Sequence, residues 1–454
     1  MLVRVYVGNI VHSLNANELE ILSDGIVGVD EKGKILFKQT GSLEDALLAH
    51  GSYYNIDDEN TIAEVEIVET VGNQFFVPGF IDTHIHASQY PNVGIFGHST
   101  LLDWLETYTF PLEGSYTDTN RAAEVYNKVV SRGLANGTTM ASYYGTIHVP
   151  ATVCLAQIAQ QLGQRALVGR VCMERFCPEA VQDASIESDR DFVDKVLALD
   201  ETGQHVKPII TPRFAPSCTM ETMKGLAKLA RERDLPIQTH ISENSREIAW
   251  VKDLFPECEN YTDVYDKANL LKHDTVLAHA VHLADSEVEV IKKRDSGISH
   301  CPVSNASIAS GIAPIKSYLD KNVKVSLGSD VSGGFTTSIL ANAREALLMS
   351  RLLSERTGNS NDVLSVGNVL FIATLGGAEV CNASNFVGNF AVGKQWDAQL
   401  INLDVEGSPV DVFSWQLPKD PVERIEHLVH KWMYVGDDRN TAKVWVDGKL
   451  VVDK

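Results

Sequence analysis

The amino-acid sequence predicts an α/β protein built as a (β/α)8 barrel, with a small β domain assembled from the two ends of the chain. Three observations lead there. Between residue 75 and about residue 383, eight short apolar runs alternate with longer amphipathic stretches, the pattern of βα units feeding a parallel sheet. Short strand-like runs broken by Gly, Asn and Asp turns fill residues 1–74 and return after about residue 384. Histidines and acids fall at the ends of the apolar runs, where a barrel of this kind carries its reactive groups.

In chain order, the leading segment offers strands at 3–7, 26–29, 35–37 and 63–68, with one charged helical stretch at 42–50. The eight barrel runs are 75–81, 138–144, 165–173, 207–214, 236–241, 275–279, 297–301 and 324–327. Helices are expected between them at 119–135, 220–233, 245–254, 285–294 and 338–354, where apolar residues recur at helical spacing. Strands return at 398–402, 442–446 and 450–452. The expected division is therefore a composite β domain from 1–74 and 384–454, interrupted by a barrel at 75–383. The sequence has no internal repeat and no low-complexity segment.

Composition narrows the function. A chain of 454 residues with a net charge of −21 lacks the basic footprint that nucleic acid or an anionic membrane surface requires, so a small neutral substrate fits better. Seven cysteines without a C-x-x-C pair argue against a disulfide framework and for a reducing compartment. The start, MLVRVYVGNIVHSLN, alternates like a strand and has no signal-like apolar core, and no stretch approaches a membrane span. A cytoplasmic protein is expected.

The chemistry centres on residues 75–94, FFVPGFIDTHIHASQYPNVG. Side chains on a strand alternate faces, so His84 and His86 point the same way and can grip one ion. His240 ends the fifth run, His279 the sixth and Asp330 the eighth. Each has an ordinary reading: a chance His-x-His, a hydrogen-bonded core histidine for His240 or His279, a helix N-cap for Asp330. All of them at strand ends of one barrel, whose interior normally holds branched apolar residues, point instead to a metal site. Glu243 follows His240 by three residues and is either a first-turn helix residue or the proton shuttle beside a metal-activated water. His300, ending the seventh run, is intermediate. His12, His50, His98, His148, His205, His273, His282, His427 and His430 lack strand-end placement and read as surface or packing residues.

Three imidazoles and one carboxylate, His84, His86, His240 and Asp330, suit a single hydrolytic Zn2+ with one position open for water. Binuclear relatives of such barrels bridge their ions with a modified lysine ending the fourth strand. Here that strand ends Thr211-Pro212-Arg213-Phe214, and Lys207 stands at its beginning. Zinc brings the pKa of bound water from about 15.7 to near 7. Asp330 is then expected to accept the water's proton, Glu243 to protonate the leaving group, and His279 to steady the developing tetrahedral centre.

Across nearly its whole length the chain resembles the guanine deaminase family of the amidohydrolase superfamily. The resemblance lies in PGFIDTHIHASQYPNVG, RFAPSC, THISEN, HCPVSN, the GSD at 328–330 and GDDRN at 436–440. The strand-end ligands are shared widely in the superfamily, whereas HASQYPNVG with Arg213-Phe214 is more specific. The resemblance implies a TIM-type barrel with a β-sandwich side domain, a zinc-dependent homodimer, and conversion of guanine to xanthine and ammonia. It also implies that Gln89, Arg213 and Phe214 hold the purine alongside His240. In this role Arg213 donates to the carbonyl oxygen and Phe214 touches the ring face; the ordinary alternative for Arg213 is a salt bridge. One departure is VSN at 303–305, where the family tends to carry Asn before Ser-Asn. Competing readings are another amidohydrolase acting on cytosine, an adenosine derivative or a triazine, and a barrel that has lost its metal and serves as a scaffold. The separate zinc deaminase fold needs P-C-x-x-C, which is absent.

Overall fold

The structure is a computed structural model and describes residues 1–50, 65–95, 101–183 and 185–454. His98 and the first two residues of the run expected at 63–68 lie outside the described residues. The chain opens with a long antiparallel hairpin, β1 (Leu2–Asn15) against β2 (Glu18–Asp30), with Val5 opposite Gly28 and Val11 opposite Ile21. β3 (Ile35–Thr40) pairs with β2, β4 (Glu66–Glu69) lies parallel to the first half of β1, and β5 (Gln74–Pro78) meets β1 at Ile10.

The run expected as one strand at 75–81 is two. β5 stays in the terminal sheet, and β6 (Phe80–His86) turns away at Gly79 into the parallel region. The turn falls at a Pro78-Gly79 pair, and the close approach of Thr139 requires glycine there, since a Cβ on Gly79 would sit 2.1 Å from Thr139 Oγ1. Parallel strands follow as β7 (Thr138–Tyr144), β8 (Arg165–Gly169), β9 (Val171–Cys172), β10 (Val206–Pro208), β11 (Thr211–Pro212), β12 (Ile237–Ile241), β13 (Thr275–His279), β14 (Gly297–His300) and β15 (Lys324–Leu327). They form three hydrogen-bonded sets ordered β10-β8-β7-β6, β11-β9 and β12-β13-β14-β15. A parallel bridge between Ile210, which lies between β10 and β11, and Ile237 of β12 joins this segment to the third set. On the other side Asp330 N–H donates to His84 O at 2.8 Å and His86 N–H to Val331 O at 3.1 Å.

Helices Thr119–Ala135, Met220–Glu232, Ser245–Leu254, Asp285–Lys293 and Ile339–Thr357 occupy the expected connections. Among the described residues no helix is long and apolar enough to cross a membrane.

β16 (Ala398–Asn402), β17 (Thr441–Val446) and β18 (Lys449–Asp453) return to the terminal sheet, whose order is β18-β17-β16-β5-β1-β2-β3. Tyr6 on β1 and Trp445 on β17 are three strand spacings apart, about 14 Å on a flat sheet. Their rings lie 5.4 Å apart, so the sheet curls over an aromatic core that also holds Phe76 and Trp396. Arg165, buried at the start of β8, ties this sheet to the parallel strands: its Nε donates to Asp397 Oδ2 at 2.7 Å and its Nη2 to Asp447.

Beneath the site the interior is polar and internally bonded. Thr83 Oγ1 meets Ser299 Oγ at 2.6 Å and Ser326 Oγ at 2.7 Å, and Gln238 links Ser142 Oγ, Tyr143 O and Thr211 Oγ1. Such hydrogen bonds cross-link successive strands at a fixed level and make a stiff floor for the side chains above.

Candidate metal centre and adjoining pocket

β6 delivers His84 and His86, β12 delivers His240, and Asp330 follows β15 by three residues. All are buried or nearly so, and ligand-type atoms of these four lie within 4.8 Å of one another. Asp330 Oδ1 is 3.1 Å from His84 Nε2 and 3.4 Å from His86 Nε2, and the Nε2 atoms of His86 and His240 are 3.2 Å apart. Asp330 does not cap the following helix, whose N-cap is Ser338. It takes a left-handed backbone (φ 45°), as does His279 at the end of β13 (φ 75°). Left-handed backbone at non-glycine residues is a strained choice, kept here at two side chains aimed into one site.

The imidazoles are prepared to act as ligands. His240 Nδ1–H donates to Arg213 O at 2.6 Å, which leaves its Nε2 lone pair for an ion. Burial pushes the pKa of His84 below the ordinary value and those of His86 and His240 well below it, which favours the neutral form a metal ligand needs. Burial alone would raise the Asp330 carboxyl. The close approach of His84 and the electrostatic pull of His279 and His86 favour the carboxylate and hold the group far below the usual range. Both ring nitrogens of His84 are buried without a hydrogen-bond partner. An ion among these four side chains satisfies an atom that would otherwise be costly to bury. A second grouping, His84, His279 and Cys301, shares His84 with the first. Burial raises the Cys301 thiol well above its ordinary pKa, which disfavours the thiolate a metal needs.

His279 Nδ1–H donates to Asn305 Oδ1 at 2.9 Å, so the Asn of the VSN segment sets the tautomer. Its Nε2 faces Glu243 Oε2 at 3.5 Å and Asp330 Oδ2 at 3.7 Å. Glu243 is buried, its Oε1 accepts from Ser310 Oγ at 3.1 Å, and burial lifts its pKa to about 7. It is not a helix cap, because Asn244 caps the helix Ser245–Leu254. Glu247 instead holds the Glu243 backbone N–H at 3.0 Å and accepts Tyr261 Oη–H at 2.8 Å. His300 stands outside the cluster; burial pushes its pKa down to about 3. Lys207 lines a different cavity, with Arg165 and His205 at the strand beginnings.

Above the cluster opens a small pocket lined by Gln89, Trp104, Arg213, Phe214, Glu243 and His279 among others. Gln89 and Arg213 meet on one residue that sequence reasoning missed, Glu113. Its carboxylate accepts from Gln89 Nε2 at 2.9 Å and from Arg213 Nη1 at 2.6 Å. Arg213 therefore makes a salt bridge and also lines the pocket. Trp104 was missed as well; its ring is buried and its Nε1 has no partner. Neither carries a local signal, since both sit in short helical segments without strand-end placement.

Parallel strands that bring three imidazoles and a carboxylate to one point beneath such a pocket define the class: a metal-dependent hydrolase. Comparison with known proteins narrows it. Residues 75–451 match the Amidohydrolase family. A probable guanine deaminase of Schizosaccharomyces pombe is 46% identical over 98% of this chain and 83% of its own length. The guanine deaminase of Dictyostelium discoideum is 42% identical over 99% of this chain and 98% of its own length. A crystal structure of guanine deaminase from C. acetobutylicum with bound guanine superposes with a TM-score of 0.87 at 31% identity, covering 99% of this chain and 100% of that one. The chain belongs to the amidohydrolase family and, within it, to the guanine deaminases.

Proposed function

We propose that the protein hydrolyses guanine to xanthine and ammonia, using one zinc ion per chain held by His84, His86, His240 and Asp330. The observation that carries this reading is the pairing of that buried cluster with Glu243 beneath a pocket bearing the fixed guanidinium of Arg213. A zinc ion in the cluster supplies the Lewis acidity that makes water a nucleophile near neutral pH.

The chain's own groups do the rest. Asp330 takes a proton from the attacking water, its Oδ2 lying 3.7 Å from His279 Nε2. Glu243, lifted to about 7 by burial, can give its proton to a ring nitrogen; the proton that Asp330 takes from water then passes through Glu243 to the departing amine, and the hydroxyl proton released as the carbonyl forms restores Glu243. That transfer matters because an unprotonated amide ion is a very poor leaving group. His279, its tautomer set by Asn305, presents Nε2 to the tetrahedral centre. Arg213 donates to the carbonyl oxygen of the purine, Gln89 holds its edge, Phe214 covers its face and His240 borders it. Burial of the whole assembly keeps bulk water away from these transfers.

The same reading divides the chain into a composite β-sandwich domain, 1–74 with 384–454, and a closed (β/α)8 barrel at 75–383, working as a cytoplasmic homodimer. Ammonia release from a panel of guanine, adenine and cytosine, with metal analysis of the same sample, tests the function. Selective turnover of guanine supports it; comparable turnover of cytosine or adenine replaces it with another deaminase.

A further inference from the structure

Glu113 is not among the residues lining the pocket, yet two of the pocket's polar residues, Gln89 and Arg213, converge on its carboxylate. Its side chain is 1% exposed, on the short helix Phe110–Gly114, and the Arg213 guanidinium also lies over the Phe110 ring at 5.6 Å. We propose that Glu113 is a specificity-determining positioning residue that forces the pocket to present donors, and so selects purines with acceptors there. The inference rests on the reading of Gln89 and Arg213 as purine contacts.

The argument is one of hydrogen-bond polarity. A side-chain amide can turn over and exchange its donor for its acceptor, which would let Gln89 accept either kind of ligand edge. Here both ends are dictated. Gln89 Oε1 accepts from the backbone N–H of Ser332 at 3.3 Å, and that group cannot accept. Gln89 Nε2 donates to Glu113 at 2.9 Å, and a carboxylate paired with a guanidinium cannot donate. The remaining N–H of the Gln89 amide is therefore left to the pocket as a donor. Arg213, which lines the pocket, has donors only, and the same carboxylate takes Nη1 and so restrains the guanidinium. The substitution Glu113→Gln removes the constraint while keeping the shape: the new amide can donate as well as accept, Gln89 can invert, and Arg213 loses its buried counter-charge.

The test compares Glu113→Gln, Glu113→Asp and Arg213→Ala with the parent, on guanine and on 2,6-diaminopurine. The latter keeps the amino group to be removed but puts a donor where guanine has its carbonyl. Metal content and thermal unfolding are followed alongside. In Glu113→Gln, kcat/KM for guanine is expected to fall roughly 10²-fold, the scale for removing one partner of a buried hydrogen-bonded ion pair, chiefly through KM and with metal retained. The guanine preference over 2,6-diaminopurine should fall with it, and Glu113→Asp, which keeps the charge, should recover most of the preference. A merely structural role lowers both substrates equally and leaves the ratio unchanged, which overturns the inference. If Arg213→Ala also leaves the ratio unchanged, the reading of the purine contacts fails. If Arg213→Ala collapses the ratio while Glu113→Gln does not, that reading stands and the role of Glu113 falls.

Discussion

Replacing Glu243 with glutamine isolates proton transfer from everything else this side chain does. The amide has the same shape, and its carbonyl can keep the 3.1 Å bond from Ser310 Oγ. His279 keeps Asp330 Oδ2 at 3.7 Å and Asn305 Oδ1 at 2.9 Å, so no charge is left alone in the site. The metal cluster does not include Glu243 and should hold its ion. What disappears is a group with a pKa of about 7 that can both hold and release a proton at working pH. General acid–base catalysis is worth about 10²- to 10⁴-fold, or about 3–5 kcal/mol of barrier, and kcat for guanine should fall by at least that much. Stopped assays of ammonia, with metal measured on the same preparation, give the answer. A glutamine variant with intact metal and near-normal kcat would refute the shuttle.

The same substitution should change stability with pH in the chelated, metal-free protein. Burial raises the Glu243 pKa from 4.5 to about 7, so charging it costs folding free energy as the pH rises through that window. Glu243→Gln should match the parent in thermal unfolding below pH 4.5 and exceed it above about pH 7; equal melting at pH 8 would contradict this. Arg213→Ala should lose most kcat/KM on guanine while retaining metal, and the parent should reject adenine by roughly 10⁴-fold, because adenine turns a donor toward the buried guanidinium. An unimpaired variant, or ready turnover of adenine, sinks the guanine assignment. Asn305→Leu frees the His279 tautomer and should lower kcat more than it raises KM, read from initial rates; an unchanged kcat removes Asn305 from the account.

Much of this was legible before any fold was known. His84 and His86 are readable because strand periodicity alone puts positions two apart on one face, and His240, His279 and Asp330 because each closes an apolar run. Strand and helix bounds at 138–144, 119–135 and 275–279 followed from runs with clear turn signals. The break at Gly79 was marked locally by the Pro78-Gly79 pair, a turn signal, but the apolar residues on both sides read as one continuous run. The strand-like alternation of the first fifteen residues matches β1, whereas only 26–29 of β2 (Glu18–Asp30) read as strand, since Glu18, Glu20 and Asp24 make its first half polar. Glu113 lies 24 residues from Gln89 and 100 from Arg213, and only the tertiary fold shows that one carboxylate serves both. The positive φ at His279 and Asp330, which aims both side chains, leaves no compositional mark.

The central claim is a single catalytic zinc held by four side chains, and metal stoichiometry measured together with turnover tests it most directly. Purified protein should contain one zinc per chain, lose guanine hydrolysis on exhaustive chelation, and regain it when one equivalent of zinc is returned. Four ligands converge here, and no lysine stands at the end of β11 to bridge a second ion. Two metals per chain, or full activity after the metal has been stripped, would contradict the account.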